Sequence, residues 1–236
     1  MRETDEADFD SGAENPADER RAARSLAAWE IASVVTTTVV GEWLVFSVGE
    51  GDRLLVLVPV LFAFAYIFLS HRAWNERPRD LGWRLDNFFE AARMLALLVV
   101  VVAAFFVPFG YFNGSLNFTK WYGGQSILGV PVLGVLWGLM QQYVLQAFIN
   151  RRAQIIWGRG WRSILLVGLL FGALHLPNPW LTAATFVAGL AWAAVYQRAP
   201  NLPALALSHG LMTWLLISTV PASALNGLRV GYKFFG

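Results

Sequence analysis

Ser163–Gln197 reads SILLVGLLFGALHLPNPWLTAATFVAGLAWAAVYQ, 35 residues without one Asp, Glu, Lys or Arg. About 20 apolar residues cross a bilayer as a helix, so this run is too long for one span. It contains Pro177-Asn178-Pro179. Proline lacks the backbone donor and disfavours helix in the residue before it. The run therefore divides into helices predicted at 163–176 and 180–197. Working outward, further charge-free runs cover 199–228, 121–150, 94–119 and 54–71, and 31–48 is apolar except for Glu42. Windows of this number and length do not arise in a soluble core. The remaining helices are predicted at about 30–48, 54–71, 88–111, 127–149 and 202–220. The fold class is an all-α polytopic transmembrane bundle of about seven helices.

Composition agrees. Of 236 residues, 56% are hydrophobic and 14% charged, against about 25% charged in soluble domains. That excludes an ordinary soluble globule, a disordered chain and a highly charged nucleic-acid binder. The absence of cysteine excludes disulfides, thiolate metal sites and a thiol nucleophile. Charge is also partitioned. Residues 1–30 hold nine acids against four arginines, whereas the rest of the chain is net basic. With the N-terminus inside, 14 of the 18 basic residues fall on inner segments, as the positive-inside rule requires. Residues 1–28 read as a disordered acidic cytoplasmic tail, and 29–236 as the transmembrane domain. Loops 72–87 and 150–162 mix Arg with Trp, a headgroup-level pattern. The partner they imply is membrane lipid rather than nucleic acid. His71, beside Arg72, reads as a surface residue. No internal repeat points to a transporter built from duplicated halves.

Polar side chains at membrane depth mark function by default. Three sets stand out: Gln141, Gln142 and Gln146; His175; and His209 with Thr213. At ~1.5 Å per residue they lie ~10–18 Å from the inner ends of their predicted helices, one shared layer nearer the cytoplasmic face. Gln142 and Gln146, Phe171 and His175, and His209 and Thr213 are each spaced i, i+4, which places each pair on one face of an α-helix. Such groups also serve simply as interhelical hydrogen bonds, but three sets at one depth favour a site. Glycines on the same helices permit close packing in lipid. Glu42 falls nearer the outer end of the first helix.

At these residues the chain resembles the CPBP family of intramembrane proteases, the CAAX prenyl protease and bacteriocin-processing group. The resemblance spans about 125–217. Phe171-Gly-Ala-Leu-His175 fits the family's Phe-x-x-x-His. His209 followed by Thr213 fits its His-x-x-x-Asn, with Thr for Asn. The Glu-Glu-x-x-x-Arg motif falls on Gln141-Gln142-Tyr-Val-Leu-Gln146, with all three functional residues replaced by glutamine. The resemblance implies an intramembrane endopeptidase acting on a membrane peptide or protein. Gln141 stands where a glutamate activates water with the motif-two histidine, here His175. His209 and Thr213 take the oxyanion position, Gln142 helps position water, and Gln146 and Phe171 line the substrate. An amide is not a general base, which leaves His175 to act alone, since imidazole titrates near neutrality. The alternative is a catalytically inactive pseudoprotease binding membrane peptides or lipidated tails. A catalytic zinc takes three His, Glu or Cys ligands plus water. This layer offers two histidines and neutral amides, so no metal and no other cofactor is expected. The expected location is an integral protein of a bacterial inner membrane.

Overall fold

The computed structural model describes residues 15–48, 53–119 and 129–236. Among these residues there is no strand, and seven long helices follow in order. Helix α1 runs Pro16–Val40, passes through π-helical turns at Gly41–Val45 and ends at Phe46–Val48. Then come α2 (Arg53–Ala73) and α3 (Phe88–Phe112). Helix α4 joins Gly129–Gln142, a π-helical stretch Tyr143–Asn150 and Arg151–Trp157. Helices α5 (Trp161–Ala173), α6 (Pro179–Arg198) and α7 (Leu202–Thr219) complete the bundle, and a short helix Ala222–Leu225 leads into the C-terminal segment. Five of the helices are long and apolar enough to cross a membrane, and α2 and α5 are shorter apolar ones. The chain is an integral membrane protein.

Three helices start the same way. Asn15, Asn178 and Asn201 each stand just before a helix with proline in its first turn, and each Oδ1 accepts a backbone N–H two or three residues on. Asparagine satisfies an orphan donor there, and proline at the start sacrifices no hydrogen bond. This corrects one expectation. Residues 16–28, expected as disordered tail, are helical, because PADERRAARSLAA combines that cap with good helix formers and acids Asp18 and Glu19 in the first turn. Residues 1–14 of the expected tail lie outside the described residues, as do 125–128 of the expected family-like core.

Helices α5 and α6 pack as an antiparallel pair, and α7 lies between α3 and α4. The close approach of α4 to α7 depends on glycine. A Cβ at Gly138 would sit 2.9 Å from the His209 Cβ, and one at Gly210 would sit 2.9 Å from a Val135 methyl. Helix α1 packs on α2 and on the Arg151–Trp157 end of α4.

That last contact corrects two further expectations. Helix α4 continues eight residues past its predicted end at 149, and Arg152 is fully buried instead of lying at a headgroup interface. Its guanidinium donates to Glu30 Oε2 at 2.6 Å, to Glu76 Oε2 at 3.0 Å and to Ser70 Oγ at 2.8 Å. It also lies over the Trp74 and Phe148 rings at 5.0 and 5.1 Å. His71, expected at the surface, is 4% exposed, with Nδ1 2.6 Å from Glu76 Oε2. Arg151 reaches the other oxygen of Glu76 at 2.6 Å. A buried charge is tolerable only when paired. Sequence adjacency hid the pairing, since the partners stand up to 122 residues apart.

Candidate active site

Each expected site residue can now be placed. His175 follows the C-terminus of α5 in a turn of its own, and its Nδ1 lies 2.7 Å from the Phe171 carbonyl. A carbonyl only accepts, so Nδ1 carries the proton and Nε2 keeps its lone pair. His209, mid-way along α7 and 6% exposed, has Nδ1 3.1 Å from Gln142 Nε2. With the Gln142 NH2 turned to the ring, Nδ1 accepts and the proton sits on Nε2; the opposite turn of the carboxamide would reverse the roles. In the first orientation the two imidazoles hold opposite tautomers: one offers a lone pair at Nε2, the other an N–H.

Aromatic rings fix both. The Phe171 ring meets His175 edge-on at 4.8 Å and His209 at 6.1 Å. Trp192 of α6 stacks on His209 at 4.7 Å with an interplanar angle of 13°, and its indole N–H donates to Ser208 Oγ at 3.2 Å. Phe171 is thus 4% exposed and wedged between the histidines. It acts here as packing for both rings.

The glutamines part company. Gln142 is fully buried on His209, while its Oε1 is enclosed without a partner. Gln141 is half-buried and makes no side-chain hydrogen bond among the described residues. Gln146 does not join Gln142. Its Oε1 accepts from Asn150 Nδ2 at 2.8 Å, and Asn150 reaches across to the Ala193 carbonyl and Gln197 of α6. The i, i+4 expectation assumed an α-helix. The chain turns π-helical at Tyr143, and the wider turn carries Gln146 toward α6 while Gln142 faces α7. Gln146 Nε2 is also buried without a partner. The Asn150–Gln197–Ser163 amide ladder that extends from it was not singled out in the sequence, where its members are scattered polar residues near helix ends. Thr213 lies one turn beyond His209 on α7, half-buried and with no side-chain hydrogen bond among the described residues.

One residue past His175, the Leu176 carbonyl accepts from the Gly231 amide at 2.8 Å. Asn178 Nδ2 donates to the carbonyls of Leu225 and Arg229. The C-terminal segment is thereby tied down over the α5–α6 connection. Glu42 packs there too, with its carbonyl 2.7 Å from where a Gly231 Cβ would stand, and no hydrogen bond joins it to either histidine. Among the described residues, no three His, Asp or Glu side chains group to hold a metal ion.

Two imidazoles with different partners thus meet on the Phe171 ring inside the helical bundle. The comparisons with known proteins decide the lineage. A family model described as type II CAAX prenyl endopeptidase Rce1-like matches residues 94–215, just over half of the chain. The chain belongs to the Rce1-like family. No curated protein and no solved structure matches it. The matched stretch takes in α3 to most of α7, so all seven expected site residues lie within the Rce1-like region. The α1–α2 pair, with Glu30 and His71, stands outside it.

Proposed function

We propose that this Rce1-like chain is an intramembrane endopeptidase whose proton transfers run through histidine rather than glutamate. The observation that carries the reading is the pair of contacts that orient the imidazoles, His175 Nδ1 on the Phe171 carbonyl and His209 Nδ1 on the Gln142 amide, which support opposite tautomers. His175 Nε2, unprotonated, accepts a proton from water as it attacks a peptide carbonyl. His209 Nε2–H donates to the oxygen that becomes negative, the preorganised donor that such a transition state needs. Thr213 is the second donor at that oxygen. Gln141, half-buried and without a side-chain hydrogen bond among the described residues, orients the water but cannot take its proton. The substrate is a peptide bond of a membrane protein or membrane-associated tail, and the site lies in an inner bacterial membrane. His209 is seven residues into α7, ~11 Å at ~1.5 Å per residue. That helix starts beneath the α2–α3 loop, where the Leu202 amide donates to the Gly82 carbonyl. That depth supports cleavage within the membrane on the cytoplasmic half of α7.

A second reading has its own support. Gln142 is committed to His209 and Gln146 to Asn150, so two of the three glutamines are occupied by internal contacts. That is what a pseudoprotease that binds peptides without cutting them would show. Turnover of membrane peptides by the purified protein in liposomes separates the two. Loss of about 10²–10⁴ in rate is expected for His175→Ala, the typical worth of a general base, with a comparable loss for His209→Ala. Equal turnover in wild type and both variants sinks the enzyme. Gln141→Glu is expected to raise the rate, and no gain favours the binding-only cavity.

A further inference from the structure

The run Trp157-Gly-Arg-Gly-Trp-Arg162 is exposed at every residue, between the end of α4 and the start of α5. It is a built surface. The Arg159 guanidinium donates to the Gln197 carbonyl, the Gly160 amide donates to Gln197 Oε1 at 2.9 Å, and Gln197 Nε2 donates to Ser163 Oγ at 2.9 Å. The loop is therefore clamped to the last turn of α6, which places exposed Arg198 beside Arg159. Arg162 lies over the Trp161 ring at 5.6 Å. Among the described residues, none of Arg159, Arg162 and Arg198 meets a carboxylate. Elsewhere at this end of the bundle, Arg79 and Arg84 have Asp86, and Arg151 and Arg152 have Glu76 and Glu30, whereas Arg72, Arg77 and Arg93 are also without a carboxylate among the described residues but are not gathered on one clamped loop.

We infer that the α4–α5 loop and the end of α6 form a binding surface for the headgroup of an anionic phospholipid, with Arg159, Arg162 and Arg198 as its cations. Three cations gathered on one clamped loop and the helix end it is clamped to, without a carboxylate among the described residues, offer an anion a shared site. Trp157 and Trp161, 46% and 69% exposed, flank them at the end of membrane-length α4 and the start of the shorter apolar α5, and Trp at that level sits among headgroups. The arginine distribution assigns this end to the cytoplasmic side, whose leaflet carries the negative surface potential. The inference is independent of whether the chain cuts peptides.

The test uses the full chain in mild detergent and native mass spectrometry with phosphatidylglycerol or phosphatidylcholine of matched acyl chains. Wild type retains phosphatidylglycerol preferentially, by roughly fivefold for each arginine engaged, and the preference shrinks as salt rises. The triple variant Arg159→Gln/Arg162→Gln/Arg198→Gln brings the two lipids to near parity. Arg20→Gln/Arg21→Gln/Arg24→Gln, an equal loss of charge on the exposed start of α1, keeps the preference. The inference is overturned by parity of the two lipids on wild type, by a triple variant that still prefers phosphatidylglycerol, or by an acidic peptide displacing the lipid at equal concentration. Because the wild-type comparison stands alone, a triple variant that fails to fold leaves the inference testable.

Discussion

His175 and His209 are the same residue type doing opposite things, and the cause is one hydrogen bond each. A carbonyl fixes the proton on Nδ1 of His175, and an amide NH2 turned to the ring keeps it off Nδ1 of His209. This is open to direct measurement because the chain has only three histidines, so 15N spectra of histidine-labelled protein are readily assigned. The expected spectrum has His175 protonated at Nδ1 and His209 at Nε2. Both rings in one tautomer would refute the base-and-donor division. Gln142→Leu removes the amide that sets His209. The buried Nδ1 then loses its donor, at about 1–3 kcal/mol, and His209 exchanges tautomers. Turnover is expected to fall ~10-fold or more through kcat with KM little changed. A pure KM effect would instead assign Gln142 to substrate binding.

Helices were legible in this sequence where the signal is local. Charge-free length and proline placed the ends of α2, α3, α6 and α7 within a few residues, because hydropathy and capping act over one or two turns. Two things were not local. The start of α1 was obscured by its charge, although Asn15-Pro16 and the alanines were there to be read. The π-helical stretch of α4 has no sequence period that separates it from α-helix, so the i, i+4 pairing of Gln142 with Gln146 was expected and not found. Glycine was read as a packing residue, and the contact it permits explains a prediction at this scale. Gly138→Val pushes a branched side chain into the His209 Cβ, which stands 2.9 Å from where a Cβ would begin. Overpacking of this kind costs about 1–3 kcal/mol, and it moves His209 off Gln142. Lower thermal stability together with lost turnover is expected. Asn150→Leu provides the contrast: it cuts the amide ladder between α4 and α6, so stability falls while turnover per folded molecule persists. If Asn150→Leu abolishes turnover in protein that still melts cooperatively, the ladder belongs to the site.

Across the whole molecule, one cluster joins the α1–α2 pair to the Rce1-like region: Glu30 of α1, Ser70 and His71 of α2, Glu76 of the following loop, and Arg151 and Arg152 of α4. None of this was legible, since Glu30 entered only the charge count of residues 1–30 and Arg152 fell in an interfacial loop, and only the folded chain makes them neighbours. Removing one member of such a buried network leaves a charge uncompensated, at about 3–5 kcal/mol, whereas replacing the network by apolar or neutral groups of similar volume costs much less. Arg152→Met is therefore expected to lower the melting temperature strongly, and Glu30→Gln/Glu76→Gln/Arg152→Met to recover much of the loss. Acid tests the same cluster without mutation. Burial raises the Glu76 carboxyl pKa, but the His71 hydrogen bond and the Arg152 and Arg151 charges outweigh it and hold the group at about 2. A carboxyl depressed in the folded state contributes stability that is fully present above its unfolded value, 4.5, and is lost as pH falls through about 2. Melting of wild type, followed by tryptophan fluorescence in detergent, should decline steeply between about pH 4.5 and 2. Glu76→Gln should start lower at neutral pH and decline less over that interval. Parallel curves would show that Glu76 is not the group through which acid releases α1 and α2 from α4.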